Sequence, residues 1–369
     1  VLAGEYVLGI LRAAERQGML KLDMLGLSTM GIIADVVKWT DITWEKLYAL
    51  PYDDQEVLQR FAAGDLTGIF QFEGRTTRGI VDRIFEGYKP IRKKSGNFVT
   101  KGYENPLYFD TLADINALSR PGSLLSGMTK RYEKIAQGKA QPRDYGYEIV
   151  NKVLEDTFGC LVYQEQVMAM GREVGGFPGE KVGALRRIIG KKKAGGAFDE
   201  FFQAFLDGAV RDHGMAYADA EELWNFMGKS SSYLFNIAHA VSYAVIAYWS
   251  MYLKIHYPVE FYAASLKRAD KDHALELLQD AVRHGVTIVP PDIMRSGPSW
   301  QPMWVDGKED LVVMAGFDSI EGIGTKTADV VVQWRDQVGL STDLVWNDLI
   351  QVKGIGPKSV EKIVEWVSS

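Results

Sequence analysis

Apolar positions along the chain recur mostly with the period of a helix. Val7, Ile10, Leu11 and Ala14 fall at i, i+3, i+4 and i+7, Gly18 offers a stop, and residues 19–25 then read as a short strand. Farther on, Asp53 and Asp54 can cap a helix whose inner face carries Val57, Leu58 and Phe61, with Gly64 ending it. Residues 92–108 hold Gly, Asn and Pro with little periodicity and read as an exposed insertion. Between positions 150 and 266 helical patterns succeed one another across short Gly-containing breaks, and Pro258 ends a long apolar helix. The pattern predicts a mainly α protein with a small α+β remnant at its start.

Pro290-Pro291 marks a boundary, and a smaller unit follows it. That unit contains an internal repeat: IEGIGTKTADVVVQWR, starting at Ile320, recurs as VKGIGPKSVEKIVEWV, starting at Val352.

Composition narrows the classes. A 369-residue chain that is 47% apolar and 24% charged has room for two or three cores. The net charge of -6 gives no support to nucleic-acid binding by itself, so any basic surface must come from local clustering. The longest uncharged run, residues 230–253, is interrupted by Asn236, His239 and several serines, and reads as a buried helix rather than a membrane span. The single cysteine, Cys160, excludes an internal disulfide or a cysteine-built metal site, and the five histidines show no zinc-binding spacing.

Three stretches carry candidate chemistry. In KLDMLGL, residues 21–27, a strand puts Lys21 and Asp23 on one face, where Asp23 is either half of a surface ion pair or a metal ligand. LRRIIGKKK, residues 185–193, concentrates Arg186, Arg187, Lys191, Lys192 and Lys193; it is either a solvated helix end or a face for phosphates. In the repeat, Gly354-Ile355-Gly356-Pro357-Lys358 permits a tight turn that aims free N–H groups at an anion. Gly322, Gly324 and Lys326 match it in the first copy. A pair of such hairpins would grip duplex phosphates without reading sequence.

These stretches occur with others in an order that resembles the alpha subunit of bacterial DNA polymerase III, the C family of replicative polymerases. KLDMLGL resembles the last palm strand; GIFQFEGR (68–75), SRPGSL (119–124), GCLVYQEQVM (159–168), LRRIIGKKK and YLFNIAHAVSYA (233–244) resemble fingers landmarks. LKIHYPVEF and VPPDI continue the series, and the repeat is similar to the family's helix-hairpin-helix region. The resemblance implies a palm end over residues 1–30, a helical fingers domain over 31–289, and a linker with a tandem helix-hairpin-helix unit over 290–369.

It also implies roles. Asp23 is similar to one of three palm aspartates that hold two magnesium ions, and Lys21 to a lysine near the triphosphate and primer end. Arg186, Arg187 and Lys191 to Lys193 would meet phosphates of the incoming nucleotide or the template. Tyr163, Tyr233, Asn236 and His239 match motif residues near the nucleotide site. Two departures stand out: Ile237 replaces the lysine of the family's FNKSH motif, and Ser123 replaces the second proline of RPGP. With the insertion, they point to a divergent, phage-encoded member.

Two-metal phosphoryl transfer needs carboxylates converging on ions about 3.5–4 Å apart, which Asp23 alone cannot supply. The family's other two aspartates form an Asp-x-Asp pair well before this strand, and the chain starts too late to contain them. The expectation is a template-directed polymerase portion that binds dNTPs and primer-template DNA in the bacterial cytoplasm. A partner chain or upstream segment would complete its two-magnesium site, and the isolated piece would be inactive. The alternative is a non-catalytic DNA-binding module derived from such a polymerase; a helix-hairpin-helix glycosylase fits less well, because only one cysteine is present for the iron-sulfur cluster common there. The sequence leaves a contact with a sliding clamp undetermined.

Overall fold

The computed structural model describes residues 26–86, 91–92, 98–99, 108–190, 200–292, 294–305, 307, 310–338 and 346–368. Lys21, Asp23 and the expected strand over 19–25 lie outside the described residues, as do Lys191, Lys192 and Lys193.

The described chain is mainly helical. Helix α1 (Ser28–Trp39) precedes α2 (Gln55–Ala62), which begins as its sequence dictates: the Asp54 carboxylate accepts from the N–H groups of Glu56 and Val57. Val57, Leu58 and Phe61 are buried, and Gly64 leaves the helix with φ +75°, a left-handed turn that glycine enters without strain. Helix α3 (Arg75–Ile84) follows. Strands β1 (Ile91–Arg92) and β2 (Phe98–Val99) then pair antiparallel across the start of the expected insertion.

Helices α4 (Asp110–Leu118) and α5 (Met128–Ala136) lead to α6 (Gln164–Ala169), α7 (Gly179–Gly190), α8 (Phe202–His213) and α9 (Tyr217–Ser230). The apolar run folds as α10 (Ile237–His256). Pro258 then opens α11 (Pro258–Leu266) at its first position, where the missing N–H costs nothing. Helix α12 (Lys271–Arg283) completes this part.

The main core wraps α10. Ala240, Ala244 and Ala247 line one of its faces, and their small side chains let α4 lie close, with the Asn116 amide donating to the Ala240 carbonyl at 3.4 Å. On the same helix the buried Tyr248 hydroxyl accepts from the Asp54 N–H and donates to the Pro51 carbonyl, each at 3.1 Å, tying the entry of α2 to α10. A second core joins α6 to α9 around Phe205 and Trp224.

Strands β3 (Ile288–Val289), β4 (Gln301–Met303) and β5 (Val312–Met314) form a small sheet of order β3-β5-β4, with β3 parallel and β4 antiparallel to β5. This sheet spans the Pro290-Pro291 point, and Val313 belongs to the main core. Local punctuation could not reveal that pairing, because it joins residues on either side of the prolines. Beyond it, α13 (Thr325–Val338) and α14 (Pro357–Ser368) share a third core with Ile323, Ile355, Val331 and Ile363.

Candidate nucleic-acid interface

Three separate sequence landmarks meet at the start of α10. The backbone N–H of Gln164 donates to the Phe235 carbonyl at 2.9 Å, and Phe235 N–H donates to the Val162 carbonyl at 3.0 Å, so residues 162–164 and 235 form a short parallel bridge. The Asn236 carbonyl oxygen Oδ1 caps α10 by accepting from His239 N–H at 2.9 Å. Glu165 completes the cap: its carboxylate accepts from Asn236 Nδ2 at 2.8 Å and from Ile237 N–H at 3.0 Å. A negative charge at this helix start also suits the dipole.

The SRPGSL landmark packs against the same place. Pro121 opens a short helix, Pro121–Leu125, and a side chain on Gly122 would meet Tyr233 Cβ at 2.8 Å, so only glycine allows this approach. Ser123 is buried and donates to the Ala117 carbonyl at 3.2 Å, a bond the family's proline could not make. The Arg120 guanidinium stands 4.9 Å from the centroid of the Phe235 ring.

The sequence-predicted residues differ in what they present. His239 is exposed, with its ring 5.3 Å from Phe235 and 4.0 Å from Tyr243; partial burial and the nearby Arg120 charge hold its pKa below the ordinary histidine value. Tyr233 is half-buried and donates to Ser230 Oγ at 2.7 Å. Tyr163 faces inward: it is 3% exposed and donates to Asp114 at 2.6 Å, and burial together with that carboxylate pushes its pKa far above the ordinary range. Asp114 also accepts from Tyr132 at 2.6 Å. Burial nonetheless raises its pKa to about 6 against both hydrogen bonds.

Arg186 and Arg187 are exposed on α7, and neither forms an ion pair among the described residues. The other face of that helix, Leu185 and Ile189, lies in the second core, to which Leu234 also belongs.

The repeat forms two like turns, each ahead of a helix. Gly322 and Gly354 take φ of +84° and +104°, and each turn leads into a helix through Gly324 or Gly356. Ile323 and Ile355 point into the shared core, while Lys326 and Lys358 are exposed in the first turns of α13 and α14. Lys362 reaches across to donate to the Glu321 carbonyl at 2.7 Å, fastening the second copy to the turn of the first.

Sequence reasoning missed a buried charge cluster near the C-terminal end of α10. Lys254, 2% exposed, donates to Asp65 Oδ1 at 2.6 Å and to the Thr67 carbonyl at 3.0 Å, and pairs with Asp280 Oδ2 at 2.7 Å. His284 Nε2 contacts Asp65 at 2.7 Å, and Tyr262 donates to Asp280 at 2.7 Å. Burial alone would raise the Asp65 pKa; the His284 hydrogen bond and the Lys254 charge outweigh it and hold the carboxyl well below its usual range. Asp65, Asp280 and His284 could in principle ligate a cation, since their ligand atoms lie within 4.8 Å of one another. The Lys254 ammonium already stands between the carboxylates, so these residues do not fit a magnesium site. The one available signal was a lysine interrupting the buried face of an otherwise apolar helix.

Residues 27–85 and 103–213 match the family described as the bacterial DNA polymerase III alpha subunit finger domain, with a break that brackets most of the expected insertion. The class defined by fold and matched segment is thus a polymerase fingers domain. Among known proteins, the chain is 35% identical over 325 residues to the DNA polymerase III subunit alpha of Aquifex aeolicus, covering 87% of this chain and 26% of that protein. The subunits of Yersinia pestis and Mycobacterium tuberculosis are 29% and 28% identical, over 89% and 90% of this chain and 31% and 26% of theirs. The chain belongs to the bacterial DNA polymerase III alpha family, and it spans a quarter to a third of the length of the curated relatives it matches.

Proposed function

We propose that the chain supplies the fingers and a duplex-gripping unit of a template-directed DNA polymerase, acting on dNTPs and primer-template DNA. The observation that carries this reading is the convergence at the start of α10, where residues from three landmarks assemble around Asn236 and His239. Exposed Arg186 and Arg187, with Lys191 to Lys193, would balance nucleotide and template phosphates. Glu165 and the cap it makes hold the Asn236 amide in place. Tyr163 acts from beneath, as a positioning residue whose hydroxyl locks onto Asp114. The hairpin turns, with Gly322, Gly324, Gly354 and Gly356 beside Lys326 and Lys358, would hold duplex backbone.

In this reading residues 1–30 end the palm, 31–289 form the fingers, and 290–369 form the linker and tandem hairpins. Asp23 would be one ligand of a two-magnesium site whose other aspartates come from outside these residues, with Lys21 close to the triphosphate. Among the described residues no helix is long and apolar enough to cross a membrane, in keeping with work on DNA in the bacterial cytoplasm.

The test is primer extension by residues 1–369 supplied with a family segment carrying the Asp-x-Asp pair. Asp23→Asn should abolish extension while leaving primer-template binding intact. Extension that survives the substitution removes Asp23 from the reaction.

A further inference from the structure

A cavity of about 240 Å³ opens between residues 143–150 and α9, beside the second core. Buried Val150, Met215 and Leu223 close its inner end, and the half-buried rings of Tyr145, Tyr147 and Phe226 line its sides. The Arg143 guanidinium lies over two of those rings, 4.5 Å from the Tyr145 centroid and 5.7 Å from that of Phe226, and donates to the Glu222 carboxylate at 2.7 Å. The Tyr147 hydroxyl donates to Asp219 at 2.7 Å and accepts from Ala216 N–H at 3.0 Å. Asp219 itself forms no ion pair among the described residues. Residues 143–148 and 219–222 hold five carboxylates against one cation, so the mouth stays negative even with Glu222 paired.

We propose that this cavity receives an arginine side chain of a partner polypeptide, and that Arg143 keeps the place until that side chain displaces it. The volume lies below the roughly 300–1,000 Å³ of pockets for drug-sized ligands and suits a single side chain. Rings and carboxylates together select a cation: the aromatic faces attract it, and the carboxylates accept its N–H groups. Asp219 and Glu222, three positions apart on α9, are neighbours on one helix face. A planar guanidinium with five donors can reach both while its face lies on a ring, whereas an ammonium is a point charge. Arg143 already makes both kinds of contact here. Its hold is weak, because the Arg143 and Glu222 side chains are 37% and 68% exposed and ion pairs so exposed gain little. A phosphate backbone has the wrong sign for this mouth. None of these residues is assigned to nucleotide or duplex, so the site works whether or not the chain serves a polymerase.

The experiment titrates residues 1–369 into a short fluorescein-labelled Gly-Ser peptide holding one arginine. The same peptide with citrulline, which has a similar shape without the charge, or with lysine, is measured alongside. The arginine peptide should bind about tenfold more tightly than the citrulline peptide, a factor within reach of one cation–π contact joined to a charge-assisted hydrogen bond. Arg143→Ala should tighten the arginine peptide several-fold and leave the citrulline peptide unchanged, the opposite of what loss of a merely structural ion pair would do. Asp219→Asn should weaken the arginine peptide, although its amide oxygen still accepts from Tyr147 and keeps that side of the cavity in place. Equal affinity for arginine and citrulline, or binding of neither by the unaltered chain and by Arg143→Ala alike, overturns the proposal. Lysine bound as tightly as arginine overturns the assignment to a guanidinium, and weaker arginine binding by Arg143→Ala overturns the displacement of Arg143.

Discussion

Asp114 shows what one buried carboxyl does to the pH response. Its pKa in the fold, about 6, lies above the roughly 3.9 expected of the unfolded chain. Below the lower value both states are protonated and the group contributes nothing. As pH rises from about 4 to 6, the unfolded state gives up its proton first, so stability falls, and above that range a constant penalty remains. Asp114→Asn should flatten this part of the stability curve, raising stability at pH 7 relative to pH 4 by about 2–3 kcal/mol when urea unfolding is compared at the two values. An unchanged slope would mean that Asp114 is ionised throughout. Asp65 acts with the opposite sign and in a lower window: its depressed pKa adds stability above about pH 4, which is lost as the pH falls toward the folded value. Lys254→Met leaves Asp65 and Asp280 without the ammonium between them and should destabilise by about 3–5 kcal/mol, read from the urea midpoint.

At the scale of elements, the start of α10 depends on a cap made by a residue far away in sequence. Glu165→Ala removes the acceptor for both Asn236 Nδ2 and Ile237 N–H and should cost about 1–2 kcal/mol. Glu165→Gln should keep part of that, since its amide oxygen can still accept. Helices α2 and α10 show what a sequence makes legible. Asp54, Val57, Leu58, Phe61 and Gly64 were readable because cap, stripe and stop lie within a dozen residues of one another. Lys254 was not, since its partners Asp65 and Asp280 come from two other parts of the chain. Motif matching gave no direction for the Tyr163 side chain; only the fold brings Asp114 beneath it. The Pro258 break was legible as a boundary, though not as the first residue of a new helix.

Across the whole molecule, the charges that matter are distributed against the net balance. A chain of net charge -6 presents Arg186, Arg187, Lys326 and Lys358 on exposed positions without ion pairs among the described residues. Replacing Lys326 and Lys358 together by Ala should weaken duplex binding and make the plot of log affinity against log salt shallower by about 2, since each phosphate contact contributes about 0.9 to that slope. A slope that does not change would place the duplex elsewhere. Family, helical architecture and the order of landmarks were legible in the sequence; the burial of Tyr163, the Lys254 cluster and the sheet across Pro290-Pro291 needed long-range contacts.

Primer extension in magnesium, by residues 1–369 with and without a segment supplying the family's Asp-x-Asp pair, reaches the central claim most directly. Extension only in the presence of that segment is the predicted result, because Asp23 by itself cannot hold two divalent ions. Extension at an equal rate by residues 1–369 alone would contradict it.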